Sequence, residues 1–234
     1  MHGVTVLITG AASGLGEAWC RGFIDEGATV VAVDISRQGL AQRAAEGALT
    51  RVVDVADEDA VRDMVNFTVA ETGRLDVLFN NAGIAHNRPF LDIPAHDFER
   101  HMAVHCFGAV YGMRYALPEM LRAGAGRIIN TISRAAEISG AHNAAYASAK
   151  AALWSVTHAV AAEYADNPDI RINMLIPGPT NTAIWGRDMP QMQSPEVTFP
   201  TARMLATLPP AGAHGEVFWD EEPYPLFANR LDKT

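Results

Sequence analysis

Along this chain, short apolar runs rich in β-branched residues alternate with longer stretches whose apolar residues recur every three or four positions. The first pattern reads as buried strands and the second as amphipathic helices. Strands are predicted over 4–9, 29–33, 49–53, 77–80, 126–131, 171–176 and 216–219. Helices are predicted over 15–26, 38–46, 58–72, 95–122 and 144–165. Strands that alternate with helices imply a parallel sheet covered on both faces. The expected fold is α/β, a doubly wound parallel sheet of about seven strands in the order 3-2-1-4-5-6-7.

Composition narrows the function classes. A hydrophobic content of 49% in 234 residues is enough for one sizeable core. No long linker, low-complexity tract or repeat interrupts the pattern, so 1–234 is read as a single domain. A formal net charge of −9 argues against a nucleic-acid backbone as partner. No apolar run reaches the ~18 residues of a membrane span. The first strand begins almost at once, so neither a signal peptide nor a membrane partner is expected. Cys20 and Cys106 are far apart, and the eight histidines form no metal-ligand cluster. Free buried thiols, no metal and a cytoplasmic location follow as expectations.

The turn after the first strand carries the first candidate chemistry. It reads Thr9-Gly10-Ala11-Ala12-Ser13-Gly14-Leu15-Gly16, and a helix, a second strand and Asp34 follow it. Strand, glycine turn, helix, strand and acid in that order make a Rossmann-type dinucleotide-binding unit. Glycines let the backbone approach a pyrophosphate, and the helix start offers that anion unpaired N–H groups. The Asp34 carboxylate is suited to a ribose diol and repels a 2′-phosphate, which predicts NAD over NADP. The spacing is Gly-x-x-x-Gly-x-Gly, not the commoner Gly-x-Gly-x-x-Gly.

The second candidate is Tyr146-Ala147-Ser148-Ala149-Lys150, with Ser133 upstream. Tyr146 and Lys150 at i and i+4 share a helix face. A nearby ammonium favours the ionised phenol, whose free pKa is about 10. Such a tyrosine can act as acid or base on an alcohol or carbonyl.

Together these residues resemble the short-chain dehydrogenase/reductase family, over 4 to about 182. Further motifs carry the likeness in order: Asp54-Val55 after the third strand, Asn80-Asn81-Ala82-Gly83 after the fourth, and Pro177-Gly178-x-x-x-Thr182 after the sixth. The resemblance implies a bound dinucleotide with Asp54 and Val55 at the adenine and Asn81, Ala82 and Gly83 packed near the adenosine half. Pro177 and Gly178 then lie on the nicotinamide side, with Thr182 or Thr180 at the carboxamide. Tyr146 exchanges a proton with the substrate oxygen, Ser133 holds that oxygen, and Lys150 tunes the phenol and reaches the nicotinamide ribose. A homodimer or homotetramer is also implied.

Two departures stand out. Counting along the long central helix, His105 occupies the position of the family's catalytic asparagine. A neutral imidazole can both donate and accept, so His105 is a candidate member of a proton relay or, alternatively, a satisfied core histidine. The aromatic, Pro-rich tail at about 215–234 lacks the family's terminal glycine pair. The segment 181–210 holds Ile184, Trp185, Met189, Met192, Phe199 and Met204, as expected of a substrate lid or of ordinary packing. The expected activity is NAD-dependent interconversion of a lipophilic or aromatic secondary alcohol and its ketone. The alternative is a dinucleotide-binding regulatory or scaffold protein with weak or lost catalysis.

Overall fold

The computed structural model describes residues 1–227. Their strands are β1 (Thr5–Thr9), β2 (Thr29–Asp34), β3 (Leu49–Val52), β4 (Val77–Asn80), β5 (Gly126–Thr131), β6 (Ile170–Leu175), β7 (Val217–Trp219) and β8 (Glu222–Pro223). They form one sheet in the order β3-β2-β1-β4-β5-β6-β7-β8. All neighbours are parallel except β7 and β8. The sheet is thus the predicted one with a short antiparallel strand added on the β7 edge.

Period-two alternation buries both faces. Along β1, Val6 and Ile8 join a cluster with Trp19, Phe23 and Leu205, whereas Leu7 joins the opposite cluster with Met64, Leu78 and Met113. Helices α1 (Gly14–Asp25) and α2 (Arg37–Ala45) cover the first face, and α3 (Glu58–Thr72), α5 (Gly108–Ala123) and α6 (Ala144–Glu163) the second. Local signals start two of them: the Ser36 hydroxyl accepts from Gly39 N–H at 3.2 Å and the Asp57 carboxylate from Ala60 N–H at 3.1 Å. Both cysteines are buried and unbridged. Among the described residues no helix is long and apolar enough to cross a membrane.

Two elements differ from the pattern-based reading. The helix predicted over 95–122 is α4 (Ala95–His101), a π-helical stretch (Met102–Phe107) and then α5. Widened turns of this kind leave no mark on apolar periodicity and recur at functional sites. Within 181–210 a helix, α7 (Phe199–Ala206), packs on the sheet through buried Ala202 and Leu205. Phe199 meets Phe23 edge-on at 5.1 Å, and Trp19 Nε1 donates to Thr198 Oγ1 at 2.8 Å. Eight residues with a proline near the start are too few to declare themselves by periodicity. Of the tail, 228–234 lies outside the described residues.

Candidate active site

The carboxyl ends of the parallel strands open into a cleft of about 520 Å³. It adjoins a smaller chamber of about 290 Å³. The strand order reverses between β1 and β4, where such sheets leave a crevice for ligands.

Gly10, Ser13, Gly14 and Leu15 form the floor of the larger cleft, and Asp34, Asp54, Val55, Asn81, Ala82 and Gly83 border it as well. Ser13 precedes α1 but does not cap it with its side chain. The first N–H groups of α1 thus face the cleft without that partner, as an anion site requires. Asp34 is fixed at the end of β2: one carboxylate oxygen accepts from Ala12 N–H at 3.1 Å and the other from Ser36 N–H at 2.9 Å. Among the described residues the one arginine on this cleft, Arg100, is paired with Asp54 at 3.0 Å. These features fit a dinucleotide: a backbone cradle for its pyrophosphate and a fixed carboxylate for a ribose.

Two predicted residues, Thr9 and Gly16, border neither space. Thr9 works from behind. Its hydroxyl oxygen accepts from Asn81 N–H at 2.9 Å and Ala82 N–H at 3.1 Å, and the Asn81 amide donates to Thr9 O at 3.0 Å. The Asn-Asn-Ala-Gly segment is thereby tied to the glycine turn. Beneath it, buried Asn80 donates to Asn130 at 2.8 Å and Asn130 to Thr157 at 2.8 Å, joining β4, β5 and α6.

The smaller chamber gathers Ser133, Tyr146, Lys150 and His105 with Pro177, Gly178, Thr180 and Thr182. Ser133 follows β5, Tyr146 and Lys150 share one face of α6, and His105 comes from the π-helical stretch. Leu15, Asn81, Gly83 and Thr182 border both spaces. Thr180 is committed to its own turn, donating to Pro177 O at 3.0 Å.

Burial governs the titrating groups. It pushes the Tyr146 phenol above its ordinary value, and the neighbouring Ser133 hydroxyl acts in the opposite direction. It also brings the Lys150 ammonium down to about 7. The expected lowering of Tyr146 by Lys150 is therefore not the dominant effect. The Lys150 ammonium lies 5.8 Å from the Tyr146 ring centre and donates to Thr131 O at 2.6 Å, on the side of β5.

His105 stands edge-on to Tyr146, with ring centres 5.1 Å apart. Its Nε2 faces the backbone of Ile84, 2.7 Å from the carbonyl oxygen and 3.2 Å from the nitrogen. One ring nitrogen cannot donate and accept at once, so the shorter contact assigns the proton to Nε2. Nδ1 is then a buried lone pair without a protein partner among the described residues. Burial first, and the Lys150 charge second, hold this imidazole well below its ordinary range, so it is neutral at pH 7. A void of about 10 Å³ borders His105, Lys150 and Thr9. That is close to the least space a single water occupies.

Sequence reasoning passed over Arg134 and Asn143, which border the smaller chamber, and gave Trp219 only a strand position. Arg134 directly follows Ser133, and that adjacency was the one signal available.

Comparisons with known proteins give the chain's family and fold relatives. A sequence model of the family described as short chain dehydrogenase matches residues 4–193. The chain is 36% identical over 199 residues to 2-(R)-hydroxypropyl-CoM dehydrogenase of Xanthobacter autotrophicus, covering 80% of this chain and 79% of that protein. It is 38% identical over 192 residues to 3beta-hydroxysteroid dehydrogenase 2 of Eggerthella lenta, covering 79% of this chain and 74% of that protein. Among solved structures, 3-ketoacyl-(acyl-carrier-protein) reductase from Brucella melitensis complexed with NADH superposes with a TM-score of 0.85 at 27% identity, over 93% of this chain and 96% of that one.

Proposed function

The chain belongs to the short-chain dehydrogenase/reductase family, and from that premise we propose that it is an NAD-dependent oxidoreductase interconverting a lipophilic or aromatic secondary alcohol and its ketone. The observation that carries this reading is the meeting of Ser133, Tyr146 and Lys150 on one chamber that joins the glycine cradle. Two relatives are a hydroxypropyl-CoM dehydrogenase and a hydroxysteroid dehydrogenase, which supports a secondary alcohol as the reacting group.

When bound, the dinucleotide would supply the carbon that gives or accepts hydride. Tyr146 accepts the alcohol proton during oxidation or donates it during reduction. Ser133 holds the substrate oxygen by hydrogen bonding and polarises a carbonyl. Lys150 would act on the proton affinity of the site and would hold the nicotinamide ribose, and Thr182 would hold the carboxamide. The apolar walls, Ile176, Ile184, Trp185 and Trp219, exclude water and receive a lipophilic substrate. His105 anchors the loop at Ile84, and its free Nδ1 takes part in proton exchange through the small void beside Lys150.

The test is NADH absorbance over aromatic, steroid and aliphatic secondary alcohols, with NAD and NADP compared on any alcohol that turns over. Asp34 borders the cleft, where it would meet the ribose, and the described arginine lining that cleft, Arg100, is paired with Asp54, so kcat/KM is expected to favour NAD by about tenfold or more. A tenfold preference for NADP would reject the cofactor assignment, and silence across the panel would favour a binding role over an enzymatic one.

We also propose a homodimer or homotetramer. Phe90, Leu91, Phe107 and Leu121 are exposed, the last two on or beside α5. Covering such side chains with a second copy would take apolar surface out of water, which is what supports association here. Light scattering at micromolar concentration is expected to give at least twice the chain mass; a clean monomer would count against this.

A further inference from the structure

Arg134 sits at the wall of the smaller chamber, one residue beyond Ser133. Its guanidinium is held from the side of the tail. Nε donates to the Tyr224 hydroxyl at 3.1 Å. The group also lies over the Trp219 ring at 5.1 Å from its centre and near the Tyr224 ring at 5.8 Å. The Trp219 and Tyr224 rings touch at a tilt, with centres 5.6 Å apart, so the hairpin of β7 and β8 and the residue after it form one aromatic seat for this side chain.

Despite this anchoring, Arg134 makes no ion pair with another described residue. Nε is its one hydrogen-bonding nitrogen within that set, so both terminal nitrogens keep their N–H groups available. The acid three residues on, Glu137, turns to the tail and accepts from Phe227 N–H at 3.2 Å. Arg134 is exposed, yet it is oriented by a hydrogen bond and two ring faces, and it borders the space that also holds Ser133 and Tyr146. A planar fork with two open N–H groups matches a carboxylate.

We propose that Arg134 is a specificity residue and that the substrate is a hydroxy acid or keto acid. Its carboxylate lies against Arg134 while its carbinol carbon faces Ser133 and Tyr146, and its apolar body rests on Trp185 and Ile184. The seat is built by aromatic residues of the tail, where the chain departs from the family pattern. The inference rests on the proposed hydride transfer for its chemistry, but not for the charge recognition.

The experiment uses β-, γ- and δ-hydroxy acids with a phenyl group on the carbinol carbon, each beside its methyl ester. Turnover is measured with NAD, and binding is measured separately by tryptophan fluorescence on the NADH-loaded protein. The best acid is expected to be favoured over its ester by about tenfold or more, as a charge-assisted pair allows. Raised salt should erode that preference. In Arg134→Met the acid-to-ester ratio should fall to about unity, and in Tyr224→Phe, which frees Nε, it should fall by about threefold. Esters matching or surpassing every acid, or a preference that survives Arg134→Met, would overturn the proposal. Acid preference in binding without any turnover upholds Arg134 and defeats hydride transfer. Turnover without acid preference does the reverse.

Discussion

Tyr146→Phe is expected to cut kcat for alcohol oxidation by about 1,000-fold, within the range that a positioned acid or base contributes. The change removes one oxygen from a buried ring and leaves the ring itself in place against His105. The glycine cradle and Asp34 lie on the larger cleft, which Tyr146 does not border, so the Kd for NAD should stay within about twofold. Residual turnover within tenfold of the parent would defeat the acid–base assignment. The pH profile gives an independent readout. Below about 7 both Tyr146 and Lys150 carry their protons, and the pair offers no base. As pH rises through that value the pair loses one proton. The proton that leaves in this range is that of the buried Lys150 ammonium. Oxidation should therefore rise with pH along a single limb centred near 7, and reduction should show the opposite slope. His105 is neutral throughout this window, because burial holds it well below its usual range. A second limb near pH 6.5 would show that His105 titrates in the reaction.

Most of the sheet could be read from the chain, because parallel strands covered on both faces leave continuous apolar runs such as Val30 to Val33. The glycine turn and Asp34 were legible for a related reason: local backbone demands select residue types at fixed spacing. What escaped depends on tertiary placement. The π-helical turn at Met102–Phe107 keeps an ordinary apolar composition, so nothing in its letters separates it from α4 and α5. Helix α7 owes its place to Phe23 and Trp19, contacts far away in the sequence. The sign of the Tyr146 shift also escaped. Helical spacing with Lys150 was visible, but the depth of burial that sets the direction was not. Arg134 reads as a solvated cation until Trp219 and Tyr224 are brought beneath it.

Gly16→Ala is expected to raise the Kd for NAD by about 100-fold and to lower thermal stability. A methyl group at Gly16 would stand 2.2 Å from Gly10 O, 2.8 Å from Gly10 C and 2.9 Å from Ala11 Cα. Each of these atoms is backbone, so no side-chain rotation relieves the overlap. The turn cannot retreat across the cleft either. Gly10 itself has φ +68°, and a Cβ there would lie 2.8 Å from Ala82 Cα. That neighbour is pinned in turn by its hydrogen bond to Thr9. The overlap must then be absorbed by lifting the start of α1 away from the strand ends. Overpacking of this kind costs about 1–3 kcal/mol, or about 2–12 °C of Tm for a chain this long. The same displacement moves the N–H groups meant for the pyrophosphate. Losing one or two charge-assisted hydrogen bonds, at about 1.5–3 kcal/mol each, gives the expected loss of affinity. Gly140→Ala is the matched control, because a Cβ there meets nothing within 4 Å. Its Tm should stay within about 1 °C of the parent, as for a surface substitution touching no special feature. Calorimetry and a fluorescence titration with NADH read both variants. An unchanged Kd in Gly16→Ala would mean that the turn between β1 and α1 does not carry the dinucleotide.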